Sequence, residues 1–146
     1  LDFGAIRQFD YELLTIAHGL LKAGYYHDHQ AMMNAMTGYE FFDTMSQKVS
    51  SDIANIFLLA TEPFSDTASN PDIPTKVLDD NQRYIWSNSK LHSRISAAAT
   101  TAMQSFEFNL PPKEFMFISR KFIGAYTFLT VLDAHTDSDK LVKPFL

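Results

Sequence analysis

Residues Phe115–Leu132 read FMFISRKFIGAYTFLTVL. Phe115, Ile118, Phe122, Ala125, Leu129 and Leu132 recur at intervals of three and four, which sets one apolar stripe along a helix. Phe117, Tyr126, Phe128 and Val131 add apolar surface on other sides, so the expectation is a helix buried nearly all round. Pro111 and Pro112 stand where a helix starts, since proline tolerates the first turn, and the segment is expected to run to about Ala134. Its charge-free part, Phe122–Leu132, is far short of the roughly 20 residues a membrane-spanning helix needs.

The same period governs the segments upstream. After Asp10, a good N-cap, Leu13, Leu14, Ala17, Leu20 and Leu21 share a face, with Gly24 as the expected stop. A short helix from about Asp28 to Thr37 carries Met32, Met33 and Met36 and ends at Gly38. Phe42, Met45, Val49, Ile53, Ile56 and Ala60 predict one helix over Glu40–Ala60. Glu62–Thr75 brings Pro63, Pro71 and Pro74 among Ser, Thr, Asp and Asn, which is loop composition and the one plausible linker. Thr75 can cap a fourth helix with Val77, Leu78, Tyr84 and Ile85. Leu91, Ile95, Ala98, Ala102 and Phe106 continue in a fifth, and Ser87, Asn88 and Ser89 leave open whether the two are joined. Strand-like alternation is hard to find, so the fold class is all-α, with about five to six helices in a single domain over residues 1–146. Only residues 1–9 differ, reading as a short apolar start that turns at Gly4.

Composition narrows the function classes. With 146 residues, 46% of them hydrophobic and 20% charged, the chain can bury a core and is not of disordered type. The absence of cysteine removes disulfides, thiolate nucleophiles and Cys-ligated zinc. A net charge of -5 offers no basic field for a nucleic acid, although the acidic excess lies in residues 1–75 and the remainder is mildly basic. The chain starts at Leu1 with neither Met nor a leader pattern, and it is expected to be a piece of a longer protein.

Chemistry-bearing motifs are few. His27, Asp28 and His29 suit transition ions by type, but residues two apart on a helix point away from each other and no fourth ligand is at hand. His18, His92 and His135 are isolated, and no serine, histidine and acid arrangement stands out. The three methionines could form an adaptable groove, though at helical spacing they are expected to fill core, as is Trp86 beside Tyr84. Asp2, Phe3 and Gly4 form the one tripeptide with a mechanical meaning. In kinase-like folds such an Asp coordinates the magnesium that bridges nucleotide phosphates, the Phe packs beneath it, and the Gly lets the backbone turn.

A second stretch agrees with that tripeptide. Leu110, Pro111, Pro112, Lys113 and Glu114, then Arg120, Lys121, Phe122, Ile123, Gly124 and Ala125, with Leu129, Leu132 and Ala134 beyond, resemble the closing helix of the UbiB/AarF-type atypical kinases. That family is tied to ubiquinone biosynthesis. Gly38 after the Met-rich helix and Glu62, Pro63 and Phe64 before a loop are similar to the family's middle region. The resemblance covers essentially the whole chain, which corresponds to the C-terminal part of a larger kinase-like domain. It implies a helical C-terminal-lobe fragment of a protein-kinase-like fold in which Asp2 is a magnesium ligand and Phe3 and Gly4 complete the nucleotide-cofactor site. It assigns no catalytic residue here, since the nucleotide loop, the lysine and glutamate pair and the catalytic-loop aspartate and asparagine would precede Leu1.

The intact parent is then expected to bind ATP with magnesium and to act as an ATPase or kinase supporting ubiquinone or related isoprenoid-quinone metabolism. The fragment alone is expected to be inactive and to hold no cofactor, because phosphoryl transfer needs phosphates, metal and an orienting group positioned together. Expected placement is cytoplasmic or peripheral at the inner face of a membrane. The rival is a noncatalytic helical module that binds a partner protein or an isoprenoid lipid at a membrane surface. Phe115–Leu132 would supply apolar area, and Lys113, Arg120 and Lys121 would meet lipid phosphates. Apolar surface left open by the cut would also favour dimerisation.

Overall fold

The computed structural model describes residues 9–103 and 113–146. Asp10 opens the first helix as expected: its backbone is extended and its carboxylate accepts from the Leu13 N–H at 2.8 Å, satisfying an amide the helix cannot. That helix, α1, spans Tyr11–Tyr25. Asp28 repeats the device for α2 (His29–Met36), accepting from the Ala31 N–H at 2.9 Å. The other elements are α3 (Glu40–Asp43), α4 (Gln47–Ala60), β1 (Tyr84–Ile85), α5 (Trp86–Ser89), α6 (Leu91–Met103), α7 (Lys113–Val131), β2 (His135–Thr136) and α8 (Ser138–Val142). The fold is all-α apart from the ribbon in which Tyr84 pairs with Thr136 and Ile85 with His135, antiparallel. Among the described residues no helix is long and apolar enough to cross a membrane.

Several expected boundaries move, each for a local reason. Gly24 does not stop α1. The chain turns at His27, which adopts a left-handed φ of 50° while the Asp28 N–H reaches back to the Ala23 carbonyl at 2.9 Å. The helix expected over Glu40–Ala60 is broken, because Ser46 takes an extended conformation and caps α4 through the Val49 N–H. The helix expected from Thr75 is only a 3₁₀ turn over Thr75–Val77, and Tyr84 and Ile85 lie in the ribbon. Lys90, left-handed at φ 48°, separates α5 from α6. At the far end Asp133, with φ 50°, ends α7 short of Ala134, and α8 follows, capped by Asp137.

Two apolar centres result. In one, Ala23 of α1, Met32 and Met36 of α2, Phe42 of α3, and Ala54 and Leu58 of α4 are buried together. The methionines are core filler, as expected. In the other, Ile73, Val77, Tyr84, Trp86, Leu91 and Tyr126 are buried together. Helix α4 lies against α1, α2 and α6 and joins the two. Glu62–Thr75 is no linker: Glu62, Pro63, Ser65 and Asn70 are buried, and the Asn70 side-chain amide donates to Ser65 Oγ at 3.0 Å.

The expectation for α7 is also corrected. Of its apolar residues Tyr126 is buried, whereas Met116, Phe122, Ile123, Phe128 and Val131 are exposed, as is Leu132 just beyond it. Only one side of the helix meets α5 and α6: Tyr126, expected outside the stripe, is buried, while Phe128 and Val131 face outward together with the stripe residues Phe122, Ala125 and Leu132.

Gly24 has a packing role instead of a terminating one. A Cβ there would overlap the Thr61 side chain, whose Cγ2 would stand 2.9 Å away. Thr61 cannot easily turn aside, because its hydroxyl donates to the Phe57 carbonyl at 2.8 Å at the end of α4. Gly24→Ala is therefore expected to cost about 1–3 kcal/mol in urea unfolding. Unchanged stability would mean that α1 and the end of α4 are not in this close contact.

Candidate functional site

The expected site residues Asp2, Phe3 and Gly4 lie outside the described residues. So do Leu110, Pro111 and Pro112 of the second motif. Most of the rest of that motif is on α7, where Arg120, Lys121, Phe122, Ile123, Gly124 and Ala125 are exposed, and Leu132 and Ala134 lie just beyond it. Lys121 places its ammonium 5.5 Å from the centre of the Phe117 ring. Nothing described stands within 4 Å of a Cβ built on Gly124, so close helix approach does not explain it among the described residues.

The histidines disperse as their spacing suggests. His27 Nε2 meets Asp72 Oδ2 at 3.3 Å, Asp28 caps α2, and His29 Nε2 lies 3.3 Å from Ser51 Oγ. Among the described residues no group of three His, Cys, Asp or Glu side chains is placed to hold a metal ion. Trp86 is wholly buried, with the Tyr126, Tyr84 and Phe64 rings centred 4.9, 5.4 and 6.4 Å away. It is packing, as expected.

The strongest electrostatic feature joins the loop after α4 to α6. Glu62, 4% exposed, receives Arg94 Nη1 on Oε1 at 2.7 Å and Nη2 on Oε2 at 2.5 Å, a bidentate pair. The Tyr84 hydroxyl donates to the same Oε1 at 2.7 Å. Burial and the adjoining carboxylate together push the Tyr84 hydroxyl far above its ordinary range, and the carboxylate holds the guanidinium charged. Such an arrangement fixes backbone positions but presents no free acid, base or nucleophile. Its chemistry is structural.

A second cluster anchors the ribbon. Asp79 accepts from the Asn81 and Arg83 N–H groups, each at 2.9 Å, from Arg83 Nε at 2.8 Å, and pairs with His135 Nδ1 at 2.9 Å. The His135 contact first, and then the Arg83 amide, hold its carboxyl well below the usual range. Because the folded value is depressed, this contribution to stability is complete above the unfolded value of 3.8 and is lost as pH falls below it. Asp79→Asn is expected to lower the melting temperature at pH 7 and to make the acid side of the stability profile shallower. Parallel profiles for the two proteins between pH 7 and pH 3 would contradict this.

A cavity of about 720 Å³ lies between α1, α4, α6, α7 and α8. Leu13, Ala17, Leu20 and Leu21 line it from α1, Ile56 and Phe57 from α4, Ile95 and Ala99 from α6, and Phe115, Ile118 and Phe122 from α7. The stripes on the first and last predicted helices thus face a common space. A periodic stripe reads the same whether it packs tightly or lines a cavity, so sequence could not distinguish them.

Comparison of the chain with protein-family models, curated proteins and solved structures finds no match in any of the three.

Proposed function

We propose that the chain is the C-terminal portion of an atypical kinase or ATPase of the UbiB/AarF type, whose intact form binds Mg-ATP and supports isoprenoid-quinone biosynthesis. The observation that carries this reading is the Asp2, Phe3, Gly4 tripeptide at the head of a chain that closes with the Lys113 to Ala125 motif. The all-α architecture supports it, as does a long α7 at the place where the resemblance puts the closing helix. In this reading the Asp2 carboxylate supplies one hard oxygen ligand to magnesium, while Phe3 and Gly4 set its position. In this reading the other phosphate-gripping groups belong to a preceding part of the parent, and this chain alone is expected not to turn over nucleotide.

The test is calorimetric titration of a version extended upstream of Leu1. Asp2→Asn is expected to abolish most of the magnesium-dependent part of ATP affinity while leaving far-UV circular dichroism unchanged, since it exchanges one carboxylate for an amide of the same size. Equal affinities in the two proteins would refute the assignment.

A second reading, a helical module that rests on a membrane surface, is favoured by the outward apolar side chains of α7, among them Phe128 at 63% and Val131 at 77% exposure. Flotation of the chain with anionic liposomes supports this reading, and its failure to float removes it.

A further inference from the structure

The cavity between α1, α4, α6, α7 and α8 is lined mainly by aliphatic and aromatic side chains, some buried and others, such as Phe122 and Ile123, exposed, with a few polar groups among them. Of its lining residues Leu13, Ile16, Tyr126 and Val142 are buried. Among the described residues no Asp, Glu, Lys or Arg lines it. The Thr61 hydroxyl is already committed to the Phe57 carbonyl, and the Tyr126 hydroxyl donates to the Ala60 carbonyl at 2.5 Å. Burial moves that phenol far above its ordinary range, so it stays neutral. The remaining hydrogen-bonding side chains, His92 and Ser96 of α6 and Ser119 of α7, are solvent-exposed, and among the described residues they bond to none.

An apolar concavity open to solvent leaves hydrophobic surface in contact with water that a bound ligand would cover. A volume of about 720 Å³ is within the range of small-molecule sites. We propose that this cavity binds a single-chain amphiphile, its aliphatic chain between α1, α4 and α7 and its hydroxyl or carboxyl head at His92, Ser96 and Ser119. The site goes beyond the nucleotide reading and does not depend on it. It also differs from adsorption of the outer face of α7 to a bilayer, because the chain enters the protein.

The probe is cis-parinaric acid, added to the 146-residue chain below its micellar concentration and read by energy transfer from Trp86, whose ring centre lies 4.9 Å from that of Tyr126 in the cavity wall. One probe per chain is expected to bind saturably and to be displaced by unlabelled fatty acids and by fatty alcohols of equal length. Across the displacing series, each two added methylenes should tighten binding by roughly tenfold until the cavity is full, then no further. Ala99→Phe on α6 and Ala17→Phe on α1 fill the space from two different helices. Each should weaken binding at least tenfold while the helical circular dichroism is retained, and if one fails to fold the other decides. Three results overturn the proposal: no saturable binding, affinity unchanged in the filled variant that folds, or uptake that grows with probe without a plateau. Binding that disappears as protein concentration rises also overturns it, placing a second copy of the chain over the mouth.

Discussion

Glu62→Ala is expected to lower the free energy of unfolding by about 3 kcal/mol, which for a domain of this size is a large part of the total. The carboxylate is almost wholly buried and satisfies three donors, two from Arg94 and one from Tyr84. Its removal strands a guanidinium in the interior and leaves a buried phenol without an acceptor. Arg94 is 31% exposed and can partly turn toward solvent, which places the loss at the low end of what breaking a buried pair costs. Removing both charges together, as in Glu62→Met with Arg94→Met, should be less damaging than Glu62→Ala alone, because no unpaired charge remains. Urea unfolding followed by circular dichroism distinguishes these cases. A single variant within about 0.5 kcal/mol of the parent would show that the pair does not hold the loop to α6.

Trp86→Ala is expected to be at least as costly, about 3–5 kcal/mol. The indole is the largest wholly buried side chain and stands among Phe64, Tyr84 and Tyr126, which come from three separate parts of the chain. Its Nε1–H donates to Thr136 Oγ1 at 2.9 Å, which ties β2 to the core. Truncation therefore opens a cavity and releases the ribbon at once. Trp86→Phe keeps most of the ring packing and gives up the hydrogen bond, so its loss should be clearly smaller. If the two variants unfold at the same urea concentration, the hydrogen bond to Thr136 matters more than the packing, contrary to this account.

The features that sequence revealed are those encoded within a few residues. Asp10 and Asp28 announce helix starts because a cap needs only a short polar side chain and the amide three residues on. Met32 and Met36 are legible as core because a four-residue step returns to the same side of a helix. The break at Ser46 was hidden by apolar spacing that continues across it from Phe42 and Met45 to Val49. The two-residue strands are too short for alternation to register. Glu62 and Arg94 are 32 positions apart, and nothing local marks either as the other's partner. For α7, composition showed how much apolar surface there is but not how much of it this chain covers.

The same division applies to function. The Asp2 motif is readable only as a string of residues, while the cavity and its exposed His92, Ser96 and Ser119 emerge only when five helices meet. The two do not compete, since one concerns a magnesium nucleotide and the other an aliphatic chain.

The central claim, that Asp2 is a metal ligand of a nucleotide site completed by residues upstream of Leu1, is tested most directly with manganese in place of magnesium. Electron paramagnetic resonance of the extended protein, titrated with Mn²⁺ in the presence of ATP, should show tightly bound ion in the parent and loss of that population in Asp2→Asn. Retention of the bound signal in the variant, or no bound ion in the parent, would contradict it.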